Sequence, residues 1–158
     1  MMVLRVDDAG DLTVDGISPL HADTLLQIPA WLQSTDPRVR ERLLPEVYED
    51  AEREEEWRKY ATPELEHLFA SRADLLVQDL QTLKPSDSVT FRMTIPKTHI
   101  AAWISSLNAA RLAVFALHEL EAEDMEVDPT EIEDFEKELA LVRIHILALM
   151  QEMLLELG

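Results

Sequence analysis

Four times along this chain a residue with a side-chain oxygen stands directly before a proline: Ser18-Pro19, Asp36-Pro37, Thr62-Pro63 and Asp128-Pro129. Such an oxygen accepts the orphan backbone N–H groups of a first helical turn. A proline at the first helical position has no donor to leave unsatisfied, and its φ is already helical. The pairs therefore predict helix starts near residues 19, 37, 63 and 129. Asp128 is followed three residues later by Glu131, the spacing of a capping box. Only three glycines occur in 158 residues, which disfavours turn-rich all-β folds and phosphate-cradling loops, since both need backbone at positive φ.

Between these marks the apolar spacing extends the helices. The first covers about 19–33, where Pro29 is expected to bend or split it. A short helix follows at about 37–43, an acidic helical stretch near 50–60, and a long helix at about 63–83 that buries Leu65, Leu68, Phe69, Leu75, Leu76 and Leu80. Two more cover about 97–121 and about 129 to the C-terminus. Residues 3–15, "VLRVDDAGDLTVD", alternate like a hairpin, with Leu4, Val6, Leu12 and Val14 on one face and Gly10 in the turn. The stretch "SVTFRMTIP" at 88–96 is expected to join it as a third strand. The predicted fold is mainly α: one domain over 1–158, a five- or six-helix bundle with a small antiparallel sheet.

In the last helix Ile132, Phe135, Leu139, Val142, Ile146, Leu149 and Met153 recur in steps of three and four, while Leu141, Ile144, Leu147 and Leu154 flank them. Two arrangements are open. The helix is central to the bundle, or part of it forms a homodimer interface, for which Ile146, Leu149, Met150 and Met153 are candidates.

The helix containing "AAWISSLNAARLAVFALHEL" (101–120) carries the polar residues of most interest. Ile100, Trp103, Ile104, Leu107, Val114 and Leu117 form one apolar arc, with Arg111 and His118 inside it and Asn108 at its edge. A guanidinium facing a core requires a carboxylate partner, and Glu46, Asp50, Glu64 and Glu152 are candidates. The group is either a polar brace that fixes helix register or an anion or substrate pocket at Arg111 walled by Trp103. No nucleophile or second convergent polar group accompanies it, so no catalytic residue is assigned and no enzyme is expected.

Without cysteine, disulfides, thiolate metal sites and cysteine nucleophiles are excluded. Glu64 and His67 have the i, i+3 spacing of helical di-iron sites, which need that motif twice and two further glutamates. Phe115 and Val142 stand three residues before His118 and His145 instead, and no metal or cofactor is expected. Fourteen basic against thirty-two acidic residues give a net charge of −18, a field that repels nucleic acid. Residues 46–56 hold seven acids, and residues 119–138 hold eleven with Lys137 as the only base. These are solvated faces or a docking surface for a basic partner. Arg38, Arg40 and Arg42 on the short helix are expected to bridge to the acids just downstream. The apolar run "LALVRIHILALM" is interrupted by Arg143 and His145 and falls short of the about 20 residues of a membrane span. With no leader-like N-terminus, a cytoplasmic protein away from membranes is expected.

Three blocks, "ADTLLQIPAWL", "DPRVRERLLPEVYED" and "AAWISSLNAARLAV", stand in that order before a final "LMQEMLLELG". Over nearly the whole chain they resemble a bacterial family of actinobacterial type, domain-of-unknown-function family two-thousand-and-seventeen. The most specific residues are Arg42, Leu43, Leu44 and Pro45 with Tyr48, and Trp103 with Asn108 and Arg111. The resemblance implies no particular chemistry. Its genes often lie beside that of the ClpS adaptor, which implies a link to Clp-type protein quality control. The function expected is a non-catalytic interaction or regulatory module, homodimeric and bound to a protein partner, with an adaptor role in proteolysis as one form of it. The alternative is a small-molecule or anion binder, or an enzyme, with its site at Trp103, Asn108 and Arg111.

Overall fold

The computed structural model describes residues 2–157. Among them are strands β1 (Val3–Val6), β2 (Leu12–Ile17), β3 (Lys84–Pro85) and β4 (Phe91–Ile95). The helices are α1 (Pro19–Leu32), α2 (Pro37–Leu43), α3 (Ala51–Leu80), α4 (Ile100–Leu117) and α5 (Phe135–Leu157). The fold is mainly α with one small antiparallel sheet, in the order β1-β2-β4-β3. The third strand predicted at 88–96 lies beside β2 as β4. The two-residue β3, too short to show an alternating pattern, makes a fourth.

The hairpin pairs Leu4 with Val14 and Val6 with Leu12, so the four share a face as expected. Asp7 accepts the N–H groups of Ala9 and Asp11, and Gly10 sits at φ 89°. Burial follows position in the sheet. Leu12, Val14 and Ile17 of β2 and Met93 and Ile95 of β4 are fully buried against the helices, whereas Val6 on the edge strand is exposed. Asp15 ties three strands together by accepting from Arg5 on β1 and Arg92 on β4, with the Ser86 hydroxyl as a further donor.

Two of the four cap–proline pairs begin α-helices as read. Ser18 accepts from the His21 N–H and Asp36 from the Arg38 N–H. The other two do not. Thr62-Pro63 lies inside α3, which runs unbroken from a cap at Asp50. Proline removes one donor, and the alanine, glutamate, arginine and leucine around it are strong helix formers that carry the helix through. Asp128-Pro129 caps only a 3₁₀ turn at Pro129–Glu131, while α5 starts later, where Asp134 accepts the N–H groups of Glu136 and Lys137. Pro29 does not split α1 either. Burial of Leu25, Ile28 and Leu32 holds the helix across it.

α5 presents a different stripe from the predicted seam. Ala140, Leu141, Ile144, Leu147, Met150 and Leu154 face the core. Of the seam, Phe135 is 72% exposed and Leu149 47% exposed, Leu139, Val142 and Met153 are half-buried, and Ile146 is buried. α5 packs on α4 and α1 together, and the flank with Ala140 allows both to approach. Arg143 closes the α1 contact through Thr24 Oγ1 at 2.8 Å and Asp23 Oδ2 at 2.7 Å. Among the described residues, the one helical segment long and apolar enough by composition to cross a membrane is Lys97–Leu117, not the run in α5. Its Trp103, Leu107 and Ala110 lie in the core.

Candidate functional site

The four polar-brace residues of α4 part company. Trp103 is fully buried, Arg111 half-buried, and Asn108 and His118 exposed. α4 ends at Leu117, so His118 is its C-terminal cap and leaves the apolar arc. Arg111 Nη1 donates to Gln151 Oε1 at 2.8 Å, and its buried Nε has no partner among the described residues. The expected carboxylate is thus replaced by a neutral amide from α5, beside a guanidinium that is only half removed from water.

A buried carboxylate near α4 belongs to Asp79 of α3. It accepts from Trp103 Nε1 at 2.8 Å and meets His99 Nδ1 at 2.9 Å. Nδ1 is the ring nitrogen that faces the carboxylate. Asp79 joins the last turn of α3 to the first turn of α4 and makes Trp103 part of a polar clamp. A sequence signal existed: Asp79 stands in the apolar stripe of α3 between Leu76 and Leu80.

A second constellation is open to solvent. α2, the segment after it, the middle of α3 and the last turns of α4 enclose a groove of about 1120 Å³. Arg38, Arg40, Arg42, Leu44 and Pro45 line one wall, Arg58 the α3 side, and Leu112, Phe115 and Ala116 the α4 side. The segment after α2 is held from below by Glu54. This buried carboxylate accepts the N–H groups of Val47 at 3.0 Å and Tyr48 at 2.8 Å, and Arg58 Nε at 3.0 Å. Those bonds, the Tyr48 N–H foremost, hold the Glu54 carboxyl below its ordinary value. Arg58 also reaches the Leu44 carbonyl. Leu44 is buried, Leu43 packs against the core, and Tyr48 meets the edge of Trp57 with ring centroids 6.3 Å apart.

The arginines of the groove differ in what they meet. Arg38 pairs with Asp36 and Glu119, Arg40 with Glu66, and Arg58 with Glu54. The bridges expected to the acids just downstream therefore go elsewhere for Arg38 and Arg40. Arg42 meets no carboxylate among the described residues, and its guanidinium lies 5.3 Å from the centroid of the Phe115 ring. That contact holds an exposed cation at the groove surface. Arg42, Leu44 and Pro45, which carry part of the resemblance, thus line one concave surface, while Trp103 works in the core.

The α5 candidates also divide. Met150 is buried inside the bundle and Ile146 nearly so, whereas Leu149 is exposed and Met153 half-exposed. Glu64 and His67 are both exposed on α3. Among the described residues no three His, Asp or Glu side chains gather as ligands for an ion.

The family model described as a domain of unknown function (DUF2017) matches residues 6–157. No curated protein and no solved structure matches the chain.

Proposed function

The chain belongs to the domain-of-unknown-function family DUF2017, and from that premise we propose that it is a non-catalytic protein-interaction module. Its groove between α2 and α4 receives a segment of a partner protein. The observation that carries this is the groove itself: about 1120 Å³, open, and walled by arginines and apolar side chains on a segment pinned by Glu54. Clefts for small ligands enclose about 300–1,000 Å³ and bury most of their occupant, so an open groove just above that range suits a length of polypeptide better.

The same proposal places the protein in the cytoplasm, away from nucleic acid and membranes, in keeping with the net charge of −18. It also takes the chain to be a homodimer through the outer face of α5, with Leu149 and Met153 in the contact and Met150 supporting them from within. The gene neighbourhood implied by the resemblance suggests Clp-type protein quality control as the setting.

Photo-crosslinking in cells tests the groove. A photoreactive residue at Glu41 or Leu112 is expected to yield a discrete protein adduct on irradiation, and one at the exposed Asp74 of α3 to yield none. Adducts from all three positions alike, or from none, contradict the assignment.

A further inference from the structure

We propose that the groove selects an apolar polypeptide segment carrying a single side-chain carboxylate, seated on the Arg42 guanidinium. The inference rests on the interaction-module reading and specifies the partner's chemistry. Three of the four groove arginines already have acidic partners within the chain. Arg42 has none among the described residues, and its guanidinium carbon lies over the Phe115 ring, 5.3 Å from the centroid. The guanidinium holds its N–H donors in one plane, a fork that donates two parallel hydrogen bonds to a carboxylate. Pro45, Leu112 and Ala116 give the groove apolar wall between its charged side chains.

Charge sets the number of carboxylates. Glu41, Glu46 and Glu119 also line the groove and the whole chain carries −18, so a polyanion, whether an acidic tract or a nucleic acid, is repelled beyond the first contact. A basic segment would meet Arg42 itself. One negative group among apolar neighbours satisfies both limits. The group comes from a side chain and not from a chain terminus. Capture of a terminal carboxylate uses backbone N–H groups gathered into a nest, and those of Val47 and Tyr48 beside this groove are already taken by Glu54.

The test is NMR titration of the ¹⁵N-labelled full chain with short peptides blocked at both ends. One has a single glutamate among leucines and alanines, and its twin has glutamine there. A third has no glutamate and a free C-terminus. The glutamate peptide is expected to shift the Arg42 side-chain N–H and the last turn of α4 saturably. The glutamine twin should bind about tenfold or more weaker, the scale of one charge-assisted pair. Arg42→Gln should abolish that discrimination while leaving the spectrum of the core unchanged, and Arg42→Lys should restore part of it. Equal binding of the glutamate and glutamine peptides, preference for the free C-terminus, or shifts confined to surfaces away from Arg42 overturn the proposal. If groove crosslinks form in cells while the peptides show no preference for glutamate, the interaction module stands and its carboxylate specificity fails.

Discussion

Asp79 shows how one side chain can link two helices. It is almost wholly buried, and its two polar partners, Trp103 Nε1 and His99 Nδ1, both come from the start of α4 and the turn before it. Trp103→Phe keeps most of the packing but removes one of these donors. Urea unfolding is expected to show a loss of about 1–3 kcal/mol, the cost of leaving a buried acceptor short of a partner. An unchanged midpoint would mean that the indole N–H contributes nothing. His21 offers a second residue-level test. Burial is the main cause holding its imidazole below the ordinary value, and its Nδ1 is buried without a partner among the described residues. The unfolded chain takes up this proton at about pH 6.5 and the folded chain only at lower pH. Stability should therefore fall as pH drops below that value, and His21→Gln should flatten the loss. A variant as acid-sensitive as the parent between pH 6.5 and 5 contradicts this. The helical wheel of α4 indicated the face on which Arg111 lies, but a wheel carries no information about the opposing helix. The amide of Gln151 was therefore not legible in the sequence, and Asp79 was marked only by its place in the apolar stripe of α3, with no sign that Trp103 would meet it.

Elements were legible where one local signal acted alone. Ser18-Pro19 and Asp36-Pro37 begin α1 and α2 because a capping oxygen and a proline agree and no helix is running into the pair. At Thr62-Pro63 the same pair sits where a helix is already running, and a dipeptide cannot report that its predecessor is helical. Since Pro63 is exposed within α3, Pro63→Ala should restore one backbone bond. After allowing for the freer unfolded chain, it should stabilise the protein by about 2 kcal/mol in chemical denaturation. A loss of stability would show that α3 depends on a bend there. In the sheet, Arg92 and Ser86 are the leading causes that hold the Asp15 carboxyl well below the usual carboxylate range. The stabilisation from this group is complete above the unfolded value of about 3.9 and is lost as pH falls toward the folded value. Asp15→Asn should make unfolding less dependent on pH below 4, and a variant that keeps the parent's full acid dependence there would contradict it. α5 carries two apolar stripes, and counting heptads could not decide which one the bundle would cover.

At the scale of the molecule, the groove joins α2 to the last turns of α4, and the chain between them includes all of α3 and half of the sheet. No local pattern records such a meeting. Arg42 read as one member of an arginine-rich helix and Phe115 as one more apolar residue, and only the packing of α2 on α4 places the cation over the ring. The mainly α class and the hairpin needed no such long-range knowledge. The outer face of α5 leaves Phe135 and Leu149 exposed. In light scattering coupled to gel filtration the chain is expected to run as a dimer and Leu149→Asp as a folded monomer, whereas a monomeric parent at every concentration removes the dimer. The proposed function depends on the groove. Its most direct test is affinity capture from native lysate with the parent and Arg42→Glu side by side, both checked for unchanged circular dichroism. A stoichiometric protein partner is expected on the parent and is expected to be lost with Arg42→Glu. The same partner retained by both proteins would contradict it.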